Sequence, residues 1–297
     1  MHCVYFNHDY MYYCYVACSL MSISGSLVII YFYLSILEIR SHFTKIVLNL
    51  AVVGLIRSLC ILVPCEKFRS DIIHRIVGIL VEVTMVQAMF WSTYISISLH
   101  YVIVLRSQTF TNYFNRWCFF IYLVYPPLCC LPLTTNSYAT GYSFCAINNK
   151  TVSYYWLVSI IYFPAFASIV ASIYYYCLTW SILKSLSIDS RGLLVLKNLK
   201  LYPMLMIADL TPVAITRLVE IFGDNCNIYF MYFISSCIFS LNGFFSCLIF
   251  LSSKSLIDSI RKRKAAKKTL QIRESLNFVG EEDSRNLLID SFVDSPK

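Results

Sequence analysis

Charge is what this sequence has least of. Asp, Glu, Lys and Arg make up 13% of its 297 residues. A soluble globular chain carries about 25%. Apolar side chains make up 58%, more than a water-soluble domain of this size can bury while still covering its surface. Catalytic signatures are also missing. There is no Gly-x-Ser-x-Gly, no His-Glu-x-x-His, no P-loop and no Gly-rich dinucleotide loop, so the chain reads as no enzyme and needs no cofactor. No Cys-x-x-Cys or His–Cys spacing points to zinc or another metal. Alternation of period two is absent, which argues against a β-barrel. Internal repeats and Gly/Ser-rich linkers are absent too.

What is present is a series of long apolar runs. A bilayer core needs about 20 mostly apolar residues per helix, and the chain offers seven such segments. They cover about 11–36, 46–64, 76–104, 117–132, 154–180, 201–222 and 229–251. The expected fold is an all-α membrane protein, a seven-transmembrane helix bundle. The connections are short, which suits antiparallel neighbours. No basic stretch precedes span one, so it reads as an uncleaved signal anchor. Residues 1–265 form the membrane domain in this reading. Residues 266–297 form a cytosolic tail, acidic and polar from Asn277, which reads as mostly disordered.

Positive charge orients the bundle. With the N-terminus outside, eight Lys or Arg fall in cytosolic loops and four in outer segments, before the basic tail is counted. The C-terminus is then cytosolic. Asn149-Lys150-Thr151 is a glycosylation sequon in the second outer loop. The run from Arg261 to Lys268 holds six basic residues. It resembles a nucleic-acid-binding stretch, but a membrane tether makes nucleic acid a poor partner. Leu256, Ile257 and Ile260 precede it at helical spacing. This predicts a short amphipathic eighth helix on anionic inner-leaflet lipid, where each cation contributes about 1 kcal/mol. A plain positive-inside flank accounts for the same residues.

Ionisable residues inside a membrane mark functional sites. Arg57 and Glu82 lie at comparable depth in neighbouring spans and are expected to pair. Arg217 and Glu220 either line an outer cavity or neutralise each other at i, i+3. Asp209 lies deeper in the same span. It precedes Pro212, which removes a backbone hydrogen bond and can kink the helix. Thirteen cysteines are present, mostly within spans. Cys145 is the best candidate for an outer disulfide, with Cys65 as the expected partner and Cys3–Cys226 as a second pair.

Three stretches carry a family resemblance. They are AMFWSTYISISLHYVIV around Trp91, LKLYPMLMIADLTPVAITR with Tyr202-Pro203, Thr211-Pro212 and Arg217, and SLNGFFSCLIF with Leu241 to Phe245. In their order and placement they resemble the cAMP-receptor-like group of seven-helix G-protein-coupled receptors, related in style to secretin-type receptors. The likeness spans roughly residues 11–265. It implies an extracellular small-molecule ligand, such as a small anion like cAMP, held by Arg57, Glu82, Arg217 and Glu220. It also implies a helix-six switch at Asp209 and Pro212. A heterotrimeric G protein would be met by Arg106, Lys197, Lys200 and Arg261 at the plasma membrane. The sequence departs from the group at His74, where a cysteine is expected at the top of helix three. Against rhodopsin-like receptors, Gly54 stands at the sodium-site Asp. Leu99-His100-Tyr101 replaces Asp-Arg-Tyr, and Asn242 is followed by Gly243 rather than Pro. Span seven holds no Lys for a retinal Schiff base. A divergent chemosensory receptor and a proton- or solute-coupled transporter are the competing readings.

Overall fold

The structure is a computed structural model. It describes residues 8–64, 71–105, 112–140, 145–147, 151–185, 201–222 and 228–253, with short pieces at 256–258, 261 and 269. The chain divides into two compact units, Met1–Ser253 and Lys254–Lys297. The expected eighth helix and tail fall in the second unit, largely outside the described residues.

The first unit is helical. Helix α1 is His8–Ser35, α2 is His42–Ile61 and α3 is Asp71–Ile103. Helices α4 and α5 are Phe114–Thr135 and Ser153–Ile182, and α6 is Leu201–Phe222. The last apolar run is split into α7, Ile228–Ser240, and α8, Asn242–Leu251, which meet at 44°. Among the described residues five helices, α1 to α5, are long and apolar enough to cross a membrane, and the bent α7–α8 pair, taken as one span, makes six. Such a set marks a multi-pass membrane protein. Helix α6 is as long but carries Asp209, Arg217 and Glu220.

Local chemistry explains the boundaries. Arg40 donates to the Tyr33 carbonyl at 3.1 Å and the Leu34 carbonyl at 2.9 Å, closing the end of α1 with a cation where the helix dipole is negative. Ser41 then starts α2 through a reciprocal capping box with Thr44. Prolines shape α4 and α5. Pro164 has no N–H to give the Ile160 carbonyl four residues back. The chain widens to a π-helical turn over Leu157–Tyr162, and the Tyr125 hydroxyl donates to that carbonyl at 2.5 Å. In α4 a second π-helical turn, Phe120–Val124, precedes Pro126 and Pro127, and the Gln87 amide donates to the Ile121 carbonyl at 3.0 Å. The freed carbonyls of two helices are thus met by side chains of their neighbours.

Helix α3 is the central rod, packed on α2, α4, α5, α6 and a small hairpin. Trp91, Tyr94 and Ile95 on it have no exposed surface. The outward faces of α1, α4 and α5 carry exposed Tyr31, Leu34, Phe119, Leu123, Phe163 and Phe166, which suits contact with lipid. The segment between α4 and α5 contains a feature that periodicity did not predict. Tyr138–Thr140 (β1) pairs antiparallel with Cys145–Ile147 (β2), in the register Tyr138 to Ile147. Both strands lie on α3. A methyl group at Gly78 would stand 2.8 Å from the Tyr138 ring, so glycine there admits the hairpin.

Candidate functional site

The polar centre of the bundle forms where α7 breaks. In a continuous helix the Gly243 N–H would bond the Phe239 carbonyl. Here neither group uses the other. The Gly243 N–H donates to Ser22 Oγ of α1 at 3.1 Å. The Phe239 carbonyl accepts from Arg57 Nη2 of α2 at 3.4 Å, and the guanidinium lies 4.3 Å from the centre of the Phe239 ring. Both halves of one missing backbone bond are therefore held by side chains from two other helices. Glycine at 243 is required for this. An added methyl would stand 2.7 Å from the Ser22 carbonyl oxygen, while one at Gly25 would meet the Gly243 carbonyl oxygen at 2.8 Å.

Helix α6 joins the same point. Asn242, the first residue of α8, donates its amide to Asp209 Oδ2. Asp209 is also the carboxylate whose charge acts on Arg57. Arg57 and Asp209 are each 2% exposed. The node thus links α2, α6, α7 and α8 through one guanidinium, one carboxylate, one amide and one backbone carbonyl. Arg57 Nε and Asp209 Oδ1 have no protein hydrogen-bond partner. Buried ionised groups are tolerated in low dielectric only when paired and hydrogen-bonded. The Asn242 amide and the Phe239 carbonyl supply those bonds to Asp209 and Arg57, and the opposite charge of each acts on the other.

The expected Arg57–Glu82 pair is corrected by this geometry. Arg57 reaches the carbonyl and ring of Phe239 on α7. Glu82, 5% exposed, lies near Tyr125, Cys129 and Tyr138 beneath the hairpin. The Tyr138 hydroxyl donates to the Cys129 carbonyl at 2.7 Å. Burial, and secondarily the Glu82 charge, push that phenol above its ordinary range, so it stays a neutral donor. Sequence adjacency of α2 and α3 was a poor guide, because α2 also has a second partner face.

The remaining candidates are spread along the chain. Pro212 is inside α6, three residues after Asp209. Just before it, the Thr211 hydroxyl donates to the Ile207 carbonyl at 2.7 Å. Arg217 and Glu220 fall in the last turns of α6, and their side chains lie outside the described residues. So do Arg106, Lys197, Lys200, Cys65 and Asn149. Arg261 is exposed. Cys145 is disulfide-bonded and fully buried, against Cys60, Val77 and Val81. Its expected partner, Cys65, lies outside the described residues. Among the described residues no group of three or more His, Cys, Asp or Glu is placed to hold a metal ion.

Two partners in the node, Ser22 and Asn242, escaped the sequence reading. A signal for them existed. Ser19, Ser22, Gly25 and Ser26 recur at helical spacing on α1, the small-residue pattern of close helix packing. Asn242-Gly243 are two poor helix formers side by side in an apolar run. No known protein family matches the chain, and no curated protein resembles it in sequence.

Proposed function

We propose that the chain is a seven-helix cell-surface receptor that activates a heterotrimeric G protein. Helix α6 is the seventh crossing in this reading, with its Asp209 turned inward to the node rather than toward lipid. The N-terminus and the hairpin face outward, and the basic loops and tail face the cytosol. The observation that carries the reading is the node itself. It is a buried polar junction at a helix break: Asp209 fastens α6 to α8, and Arg57 fastens α2 to α7.

Such a junction has two discrete arrangements available. With Asp209 engaged, α6 is held at mid-depth. With Asp209 released, the half of α6 beyond Pro212 and the half before it can move independently about the proline. A ligand acts only by favouring one packing over the other. A small anion among the outer ends of the helices would draw Arg57 or Arg217 and loosen Arg57 from Asp209. The cytosolic end of α6, near Lys197 and Lys200, then opens to a helix of the G protein, with the basic residues steering the encounter. No bond is made or broken, so the receptor is not an enzyme and requires no cofactor.

One observation favours a transporter. Broken helices in transporters present half-helix ends to substrate and ions, and α7–α8 is a broken helix. Against this, the chain's own groups occupy the break: Arg57 covers the Phe239 carbonyl and Ser22 the Gly243 N–H. Nucleotide exchange on a panel of G proteins, in membranes from cells expressing the chain, tests the receptor reading. Exchange that depends on the chain supports it. Solute flux without exchange replaces it with the transporter.

A further inference from the structure

Helices α1 and α7 carry a second cluster, apart from the node, made of thiols. Contacts on either side of the cluster fix how α1 faces α7 and the start of α8. Tyr15 and Phe233 bring their rings to 6.1 Å. Further along, Ser22 meets Gly243, and Gly25 closes on Gly243 and Phe244. Between these levels stand Cys18, three residues after Tyr15, and Cys237, four after Phe233. This brackets the two cysteines at one level of the packed helices, close enough for each to act on the other. Cys14, one turn before Cys18, is exposed, and Cys18 and Cys237 are half-buried.

Two thiols at one level of two packed helices can do what a lone buried cysteine cannot. We propose that Cys18 and Cys237 form a reversible dithiol–disulfide modification site, oxidised by an apolar hydroperoxide dissolved in the surrounding lipid. The Cys18 sulfur takes the distal oxygen of the hydroperoxide, leaving an alcohol and a sulfenic acid. The Cys237 sulfur then attacks the sulfenic sulfur, the S–S bond forms and water leaves. In sum, two thiols and one hydroperoxide give one disulfide, one alcohol and one water. A thiol reductant reverses the step. Lipid-phase oxidant suits the location, because the pair is half-buried on apolar helices. The bond would staple the first half of α7 to α1 and leave the break at Leu241 as the hinge.

The test uses the full chain in native membranes. Samples are treated with cumene hydroperoxide at increasing concentration until exposed Cys14, Cys130 and Cys177 are oxidised. Remaining thiols are alkylated, and unreduced peptides are mapped by mass spectrometry. The expected result is a Cys18–Cys237 linked peptide that disappears on reduction, with both cysteines losing alkylation in parallel. Cys14→Ser should retain the link. Cys18 and Cys237 staying alkylable while the exposed cysteines are consumed would overturn the proposal. So would a dominant link through Cys14, or separate oxidation of Cys18 and Cys237 without linkage. The wild-type mapping needs no variant to fold.

Discussion

Arg57 carries more of this molecule than any other side chain. It covers a freed carbonyl, packs on the Phe239 ring and sets its charge against that of Asp209, all while buried. Removing it leaves the Asp209 charge uncompensated in low dielectric. Breaking a buried pair in this way costs about 3–5 kcal/mol. Arg57→Met should therefore lower the thermal stability of the purified chain in detergent markedly. Adding Asp209→Asn should recover most of the loss, because the double variant buries no lone charge. A double-mutant cycle measures this coupling. Strict additivity of the two substitutions would show that the residues do not act on each other. The same residue shows a limit of sequence reading. That Arg57 is a functional, inward-facing charge follows from its place in an apolar run. That its counter-charge is Asp209, 152 positions away by subtraction of their numbers, depends on which face of α2 meets α8. Composition does not encode that choice.

Elements show the same division between what is and is not legible. The apolar runs mark the helices to within a few residues, because lipid demands length and apolarity together. Span seven is the exception, since hydropathy is blind to backbone hydrogen bonds. The break after Ser240 leaves the apolar run intact, and only Asn242-Gly243 hints at it. Gly243→Ala tests the reason for the break. Its methyl meets Ser22 and Ser26 at the tightest point of the α1–α8 contact, and overpacking of this kind costs about 1–3 kcal/mol. The π-helical turns make a second prediction. Tyr125→Phe leaves the Ile160 carbonyl without its donor, a loss of about 1–3 kcal/mol for a buried unsatisfied acceptor. Thermal unfolding of the detergent-solubilised variant should show it, and an unchanged midpoint would mean that another group satisfies Ile160. The hairpin over α3 was not legible for a different reason. Its two strands of three residues are too short for a period to register.

Within the first unit, the described helices pack around a buried polar junction at the break in span seven. Among the described residues five or six helices are plain from apolarity, and α6 stands apart because it carries three charges, of which Asp209 joins the junction. The reading as a receptor makes that junction a lock, and a lock of this kind sets basal activity. Releasing Asp209 from α2 and α8 should raise ligand-free output, roughly fivefold for each kcal/mol of lock removed. Arg57→Met with Asp209→Asn should also signal above wild type, because the charge pairing is gone even though folding is restored.

The most direct test of this account is ligand-independent GTPγS binding. It would compare wild type with Asp209→Asn in membranes matched for correctly inserted chain, across a panel of G proteins. The account predicts exchange that depends on the chain and rises in the variant. Membranes with well-folded chain and no exchange from either form would contradict it.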